Sequence, residues 1–104
     1  MTNIDVETLD NDTLKHLISV IKNGKLTNLQ TLDLSGEKIG DSTINVSLAD
    51  AINSGKLKDL IQLSLHDNEI NDKGAKVLAD AIENKMLPNL RRLELYHNNI
   101  SAEF

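Results

Sequence analysis

The chain has 104 residues, the length of one small domain, and its 39% hydrophobic and 26% charged residues suggest neither disorder nor a membrane span. Eleven Lys and Arg against sixteen Asp and Glu leave a net charge of −5, which argues against a general nucleic-acid binder and against an anionic membrane surface as partner. With no Cys, a disulfide framework, a thiolate zinc site and a Cys nucleophile are excluded. The 17 Leu, 10 Ile and 12 Asn stand against one Phe, one Tyr and no Trp, a bias that calls for a search for repeats.

In chain order, the first twelve residues are acidic and lack an apolar segment, so no signal peptide is expected. The sequons at Asn11, Asn45 and Asn99 are read as chance in an Asn-rich chain. Asn3-Ile4-Asp5-Val6-Glu7-Thr8-Leu9 reads as a worn copy of Ser64-Leu65-His66-Asp67-Asn68-Glu69-Ile70. Helices are expected near 11–23, 42–54 and 73–85, with Val77, Leu78, Ala81 and Ile82 on one buried face. Asp41, Asp72 and one of Asp10 and Asp12 are the expected N-caps; Gly24 and Gly55 fit helix ends, and Pro88 lies beyond the third helix. Short strands are expected at Leu32-x-Leu34, Leu63-x-Leu65 and Leu93-x-Leu95, where Leu alternates with polar residues. About 20 residues separate Ile39 from Leu60 and Ile70 from Leu90, enough for a crossover helix between parallel strands.

The blocks starting at Leu29, Leu60 and Leu90 align along their length, at offsets of 31 and 30 residues. Leu48-Ala49-Asp50-Ala51-Ile52 matches Leu78-Ala79-Asp80-Ala81-Ile82, and Leu26, Leu57 and Leu87 each stand three residues before the next block. One unit cannot bury its own apolar face, so neighbours must stack. Each block resembles the leucine-rich repeat pattern LxxLxLxxNxI, and the period with its Leu-Ala-x-Ala-Ile half is most similar to the ribonuclease-inhibitor subtype. The resemblance implies an α/β solenoid, a short horseshoe with its parallel β-sheet on the concave face and helices on the convex face. It divides one domain, 1–104, into a degenerate first repeat at 1–28, repeats at 29–59 and 60–89, and a truncated or capping repeat at 90–104. Asn68 and Asn98 occupy the place of the family's turn Asn, while Glu7 and Glu37 depart from it.

Polar residues between the leucines then form a grid on the concave wall. One column is Asn3, Asp33, Ser64 and Glu94; the next is Asp5, Ser35, His66 and Tyr96. A third is Val6, Gly36, Asp67 and His97, and Thr31, Gln62 and Arg92 flank them. The family binds proteins on this wall, so Asp33, Gln62, Ser64, His66, Asp67, Arg92, Glu94, Tyr96 and His97 are the candidate partner-binding residues. Tyr and Arg are types that anchor interfaces, and the excess of carboxylates favours a partner with a basic patch. A solvated sheet without a ligand is the competing reading, since these positions must be polar in any soluble repeat. Two His and one Asp fall short of a closed metal site, no nucleophile motif occurs, and no cofactor is implied.

The function expected is a non-enzymatic protein-interaction module, in the cytosol or delivered into a host cytosol, without nucleic acid or membrane. A structural or designed piece of a longer solenoid and a regulator of another enzyme are the alternatives. The final layer of Leu90, Leu93, Leu95 and Ile100 would lie bare at the C-terminal end. A two-fold homodimer through that end, and a monomer whose Phe104 covers the layer, both remain open.

Overall fold

The computed structural model describes residues 3–5, 11–36 and 47–101, with the side chains of 3–5 and 11–12 outside the description. The expected cap Asp41, the Glu37 turn and Phe104 lie outside the described residues. Four short strands, β1 (Asn3–Asp5), β2 (Thr31–Asp33), β3 (Gln62–Ser64) and β4 (Arg92–Glu94), make one parallel sheet in sequence order. Three helices alternate with them: α1 (Asn11–Lys22), α2 (Ala49–Asn53) and α3 (Asp72–Glu83). The helices contact one another in the same order as the strands. No helix among the described residues is long and apolar enough to cross a membrane.

The sequence period fixes the register. Leu32, Leu63 and Leu93 pair side by side, as do Asp33, Ser64 and Glu94, and Thr31, Gln62 and Arg92. Strand entry repeats as well. Leu29, Leu60 and Leu90 each donate a backbone N–H to the carbonyl three residues earlier, on Leu26, Leu57 and Leu87 (3.0, 3.2 and 3.2 Å). The first strand corrects the sequence alignment. Ile4 pairs with Leu32, so Asn3 stands beside Thr31 and Asp5 beside Asp33, two residues from the expected columns. A shift of one residue would have turned the apolar side chains outward, but a shift of two keeps them on the same face. Ile4 therefore fits either alignment, while Val6 and Glu7 lie outside the described residues.

Leu14, Ile18 and Ile21 of α1, Leu48, Ala51 and Ile52 around α2, and Leu78 and Ala81 of α3 share one core with Leu29, Leu32, Leu34, Leu57, Leu60, Leu63, Leu65 and Ile70. Two expectations about α3 are corrected. Ile82 is 42% exposed, whereas Ile52, its counterpart one repeat earlier, is buried. α3 packs over the α2 layer, while among the described residues no helix packs on the far side of α3. The cap of α3 is Asn71 rather than Asp72: Asn71 has an extended backbone, and its side chain accepts from the Lys73 N–H (2.9 Å). Asp72 already lies in the helix, and its carboxylate holds Ser101 instead, accepting from the backbone N–H (2.8 Å) and the hydroxyl (2.7 Å). For the middle helix, only 47–54 of the expected 42–54 falls within the described residues.

Helix ends repeat a left-handed residue at equivalent places, Gly24 (φ 75°), Gly55 (φ 76°) and Lys85 (φ 61°). At the first and third, the N–H of this residue donates to the carbonyl three residues back. The next N–H reaches five back, onto Val20 (3.3 Å) and Ala81 (3.0 Å). This pair of bonds closes a helix C-terminus and requires the left-handed conformation.

Candidate functional site

The site is built where each strand turns away from the sheet. Asn68 is buried, and its Nδ2 donates to the carbonyls of Leu34 (3.0 Å), Leu65 (3.0 Å) and His66 (3.3 Å). Asn98 repeats this with Leu65 (2.9 Å), Leu95 (2.9 Å) and Tyr96 (3.4 Å), and its Oδ1 accepts from the Ile70 N–H (3.0 Å). Each Asn thus ties two successive turns together, satisfying carbonyls that short strands leave unpaired. Just before each Asn the backbone goes left-handed, at Asp67 and at His97 (φ 57° each), in line with Gly36 (φ 70°). Asp and His tolerate this region better than most residues. Two chemistry-bearing side chains are held at neighbouring turns by backbone geometry.

Around these turns lies a compact polar and aromatic cluster. The Tyr96 ring stacks on His66 with centroids 4.4 Å apart and planes 6° from parallel, and meets His97 edge-on at 5.0 Å. Asp67 bridges the two imidazoles, with Oδ2 2.6 Å from His66 Nδ1 and Oδ1 3.0 Å from His97 Nδ1. Those hydrogen bonds, His66 first, hold the Asp67 carboxyl below the usual aspartate range. Tyr96 remains 51% exposed, a large ring held flat against the surface.

A second cluster adjoins it along the sheet. Glu94 accepts from the Ser64 hydroxyl at Oε1 (2.6 Å) and from Arg92 at Oε2 (2.9 Å). The Ser64 bond is the main cause of its lowered pKa, with the Arg92 charge contributing. Gln62 Nε2 donates to Ser64 Oγ (3.0 Å) and to Glu94 (3.4 Å). Asp33 stands apart: its carboxylate accepts from the N–H (3.0 Å) and the hydroxyl (2.6 Å) of Ser35, fixing its own turn.

Eight of the nine expected residues present accessible surface, and Ser64 does not. It is 1% exposed beneath Gln62 and Glu94, so it orients Glu94 rather than meeting a partner. His66, Asp67, Tyr96 and His97 converge as the grid places them, and Gln62, Arg92 and Glu94 converge beside them. Among the described residues no group of three or more His, Asp or Glu side chains could hold a metal ion. Sequence reasoning missed a depression of about 530 Å³ at the start of the strands, lined by residues including Gln30, Asp59, Ile61, Pro88 and Arg91. Its signal was Ile61, apolar and exposed where Gln30 and Arg91 hold the same place in their repeats.

A leucine-rich repeat family model matches residues 25–42 and 56–79. These stretches are similar to leucine-rich repeats. They contain the strand-entry turns at Leu26 and Leu57 and the buried Asn68, the parts that recur in space as well as in sequence. Among solved structures, leiomodin-1 actin-binding site 2 superposes on the chain with a TM-score of 0.75 at 18% identity. The match covers 94% of this chain and 54% of that one, so the chain spans about half the length of its structural neighbour. At that identity the likeness shows a shared fold alone. Comparison with curated proteins finds no match.

Proposed function

We propose that this chain is a non-enzymatic protein-binding module that takes its partner on the polar face of the sheet. In this reading the sheet is the concave wall of a short horseshoe of ribonuclease-inhibitor-like repeats, with the helices outside. The observation that carries it is Tyr96, a half-exposed ring immobilised between His66 and His97. Burying a ring already held rigid costs little side-chain entropy, which is what an interface anchor needs. Asp67 and Glu94 flank the ring, and Arg92 is the only formal positive charge among the nine candidates. Such a surface suits a partner that brings a basic group beside an apolar one.

The chain carries this out in the cytosol, or in a host cytosol if delivered there. The fold shared with an actin-binding site makes actin filaments the first defined ligand to test by co-sedimentation. The general test is affinity capture with the wild type against a folded Tyr96→Ala, Arg92→Ala variant. Proteins lost by the variant identify both ligand and surface. Matching profiles would move the binding site off this face.

A further inference from the structure

The repeat unit carries one strand edge that the next unit covers. Just before β3 the Ile61 carbonyl accepts from the N–H groups of Arg91 (2.8 Å) and Arg92 (3.1 Å). The Leu65 and Asp67 N–H groups donate to the carbonyls of Glu94 (2.9 Å) and Tyr96 (3.1 Å). The Arg92 N–H and the carbonyls of Glu94 and Tyr96 thus turn towards β3. Strand backbone groups alternate in direction, so both groups of Leu93, the Leu95 N–H and the Arg91 carbonyl turn away, while the Arg91 N–H still reaches back to Ile61. Among the described residues no strand pairs with that second side of β4. The layer behind it is thinly covered. Leu93 and Leu95 are half-buried where Leu63 and Leu65 are buried, and Ile82 is exposed where Ile52 is not.

We propose that this edge joins the same edge of a second copy of the chain, antiparallel and centred on Leu93. Two independent features set that centre. Leu93 turns both its N–H and its C=O outward, so two Leu93 residues face to face exchange both bonds, as in a hydrogen-bonded antiparallel pair. The Leu95 N–H then meets the Arg91 carbonyl of the other copy, and symmetry makes that contact twice. The second feature is charge. Reversing Arg92-Leu93-Glu94 about Leu93 lays each Arg92 opposite a Glu94 on the polar face. Opposite charges directly across an antiparallel pair are favourable, and like charges are not.

Moving the centre to residue 92 would face Arg92 with Arg92, and moving it to 94 would face Glu94 with Glu94. Only the Leu93 centre satisfies backbone and charge together. The two four-stranded sheets then merge into one, with both helix layers on the same side. The occupant is a second copy because the surface is complementary to itself, as a two-fold contact requires.

Sedimentation equilibrium of the 104-residue chain over a wide concentration range tests this. The wild type is expected to pass from monomer to dimer. Arg92→Glu and Glu94→Arg alone are each expected to weaken association at least tenfold. Mixing the two variants restores opposite charges at both contacts, so a heterodimer near wild-type strength is expected. Mixing cures a charge clash and does not cure a folding defect, which keeps the two apart. A wild type that stays monomeric throughout, a dimer indifferent to both reversals, or a mixture no tighter than its components would each overturn the proposal.

Discussion

The layer at 60–70 and the layer at 90–100 have nearly the same apolar residues and different fates. Leu60, Leu63, Leu65 and Ile70 are buried, whereas Leu90, Leu93, Leu95 and Ile100 are half-buried. The helices repeat the contrast, since Ile52 is 1% exposed and Ile82 is 42% exposed. Burial here belongs to the neighbour: a repeat supplies one apolar face and has the other covered by the unit that follows. Identical substitutions in the two layers should therefore have unequal effects. Leu63→Ala is expected to cost about 2–5 kcal/mol by opening a cavity between two covering layers. Leu93→Ala, with solvent already near, should cost roughly half of that or less. Urea midpoints at low protein concentration measure both, and equal losses would mean that the two layers are equally well covered.

The turn amides differ in the same direction. Asn68→Ala strips donors from three carbonyls in a buried turn, and is expected to cost about 1–3 kcal/mol. Asn98 makes the same bonds in a half-buried turn, where water can replace an amide. Asn98→Ala should be the milder change. Thermal melts of the two variants decide the order.

What could be read in the sequence divides along the same line. The leucines, their spacing and the turn Asn were legible, because a layer period of 30 or 31 residues shows in one dimension. The convergence of His66, Asp67, Tyr96 and His97 was legible too, because parallel strands in constant register turn columns of the alignment into neighbours in space. The first strand misled by two residues, because a two-residue slip leaves the alternation of Ile4 and Val6 intact. Ser64 misled because its burial comes from the side chains of Gln62 and Glu94, not from its place on the strand. Asn71 and Asp72 are both good capping types, and which one caps depends on a backbone angle. Ile82 was misplaced because periodicity identifies a face without saying whether anything lies against it.

Helix ends offer a smaller comparison. Gly55 and Lys85 occupy equivalent left-handed positions, and a Cβ at Gly55 would meet nothing within 4 Å. Gly55→Ala is therefore a pure conformational change, expected to cost about 1–2 kcal/mol. Lys85→Gly runs the opposite way and should stabilise the chain by up to about 1 kcal/mol. Its gain is offset in part by the greater freedom glycine has when unfolded. Denaturant midpoints moving in opposite directions would confirm that both helix ends hold this residue in the left-handed region.

The smallest expected effect lies where the last turn is tied to α3. Asp72 accepts two hydrogen bonds from Ser101, and these, the backbone bond first, lower its pKa from the usual aspartate range. A carboxyl with a lowered folded-state pKa binds fewer protons in the folded chain than in the unfolded one. It therefore supports the fold at pH above the ordinary aspartate value of about 4, and that support fades as pH falls through the lowered value. Asp72 is only half-buried and its hydrogen bonds lie at the surface, so global stability should hardly change. The local consequence is sharper, because the bond anchors residues beyond the last turn Asn. The Ser101 amide should be protected from hydrogen exchange at neutral pH, and acidification should release it while the Asn98 turn keeps its protection. Asp72→Asn should remove the pH dependence and retain part of the protection, since an amide oxygen still accepts one bond. If the Ser101 and Ile70 amides lost protection together on acidification, the last turn would open as one unit and Asp72 would not be its separate tether.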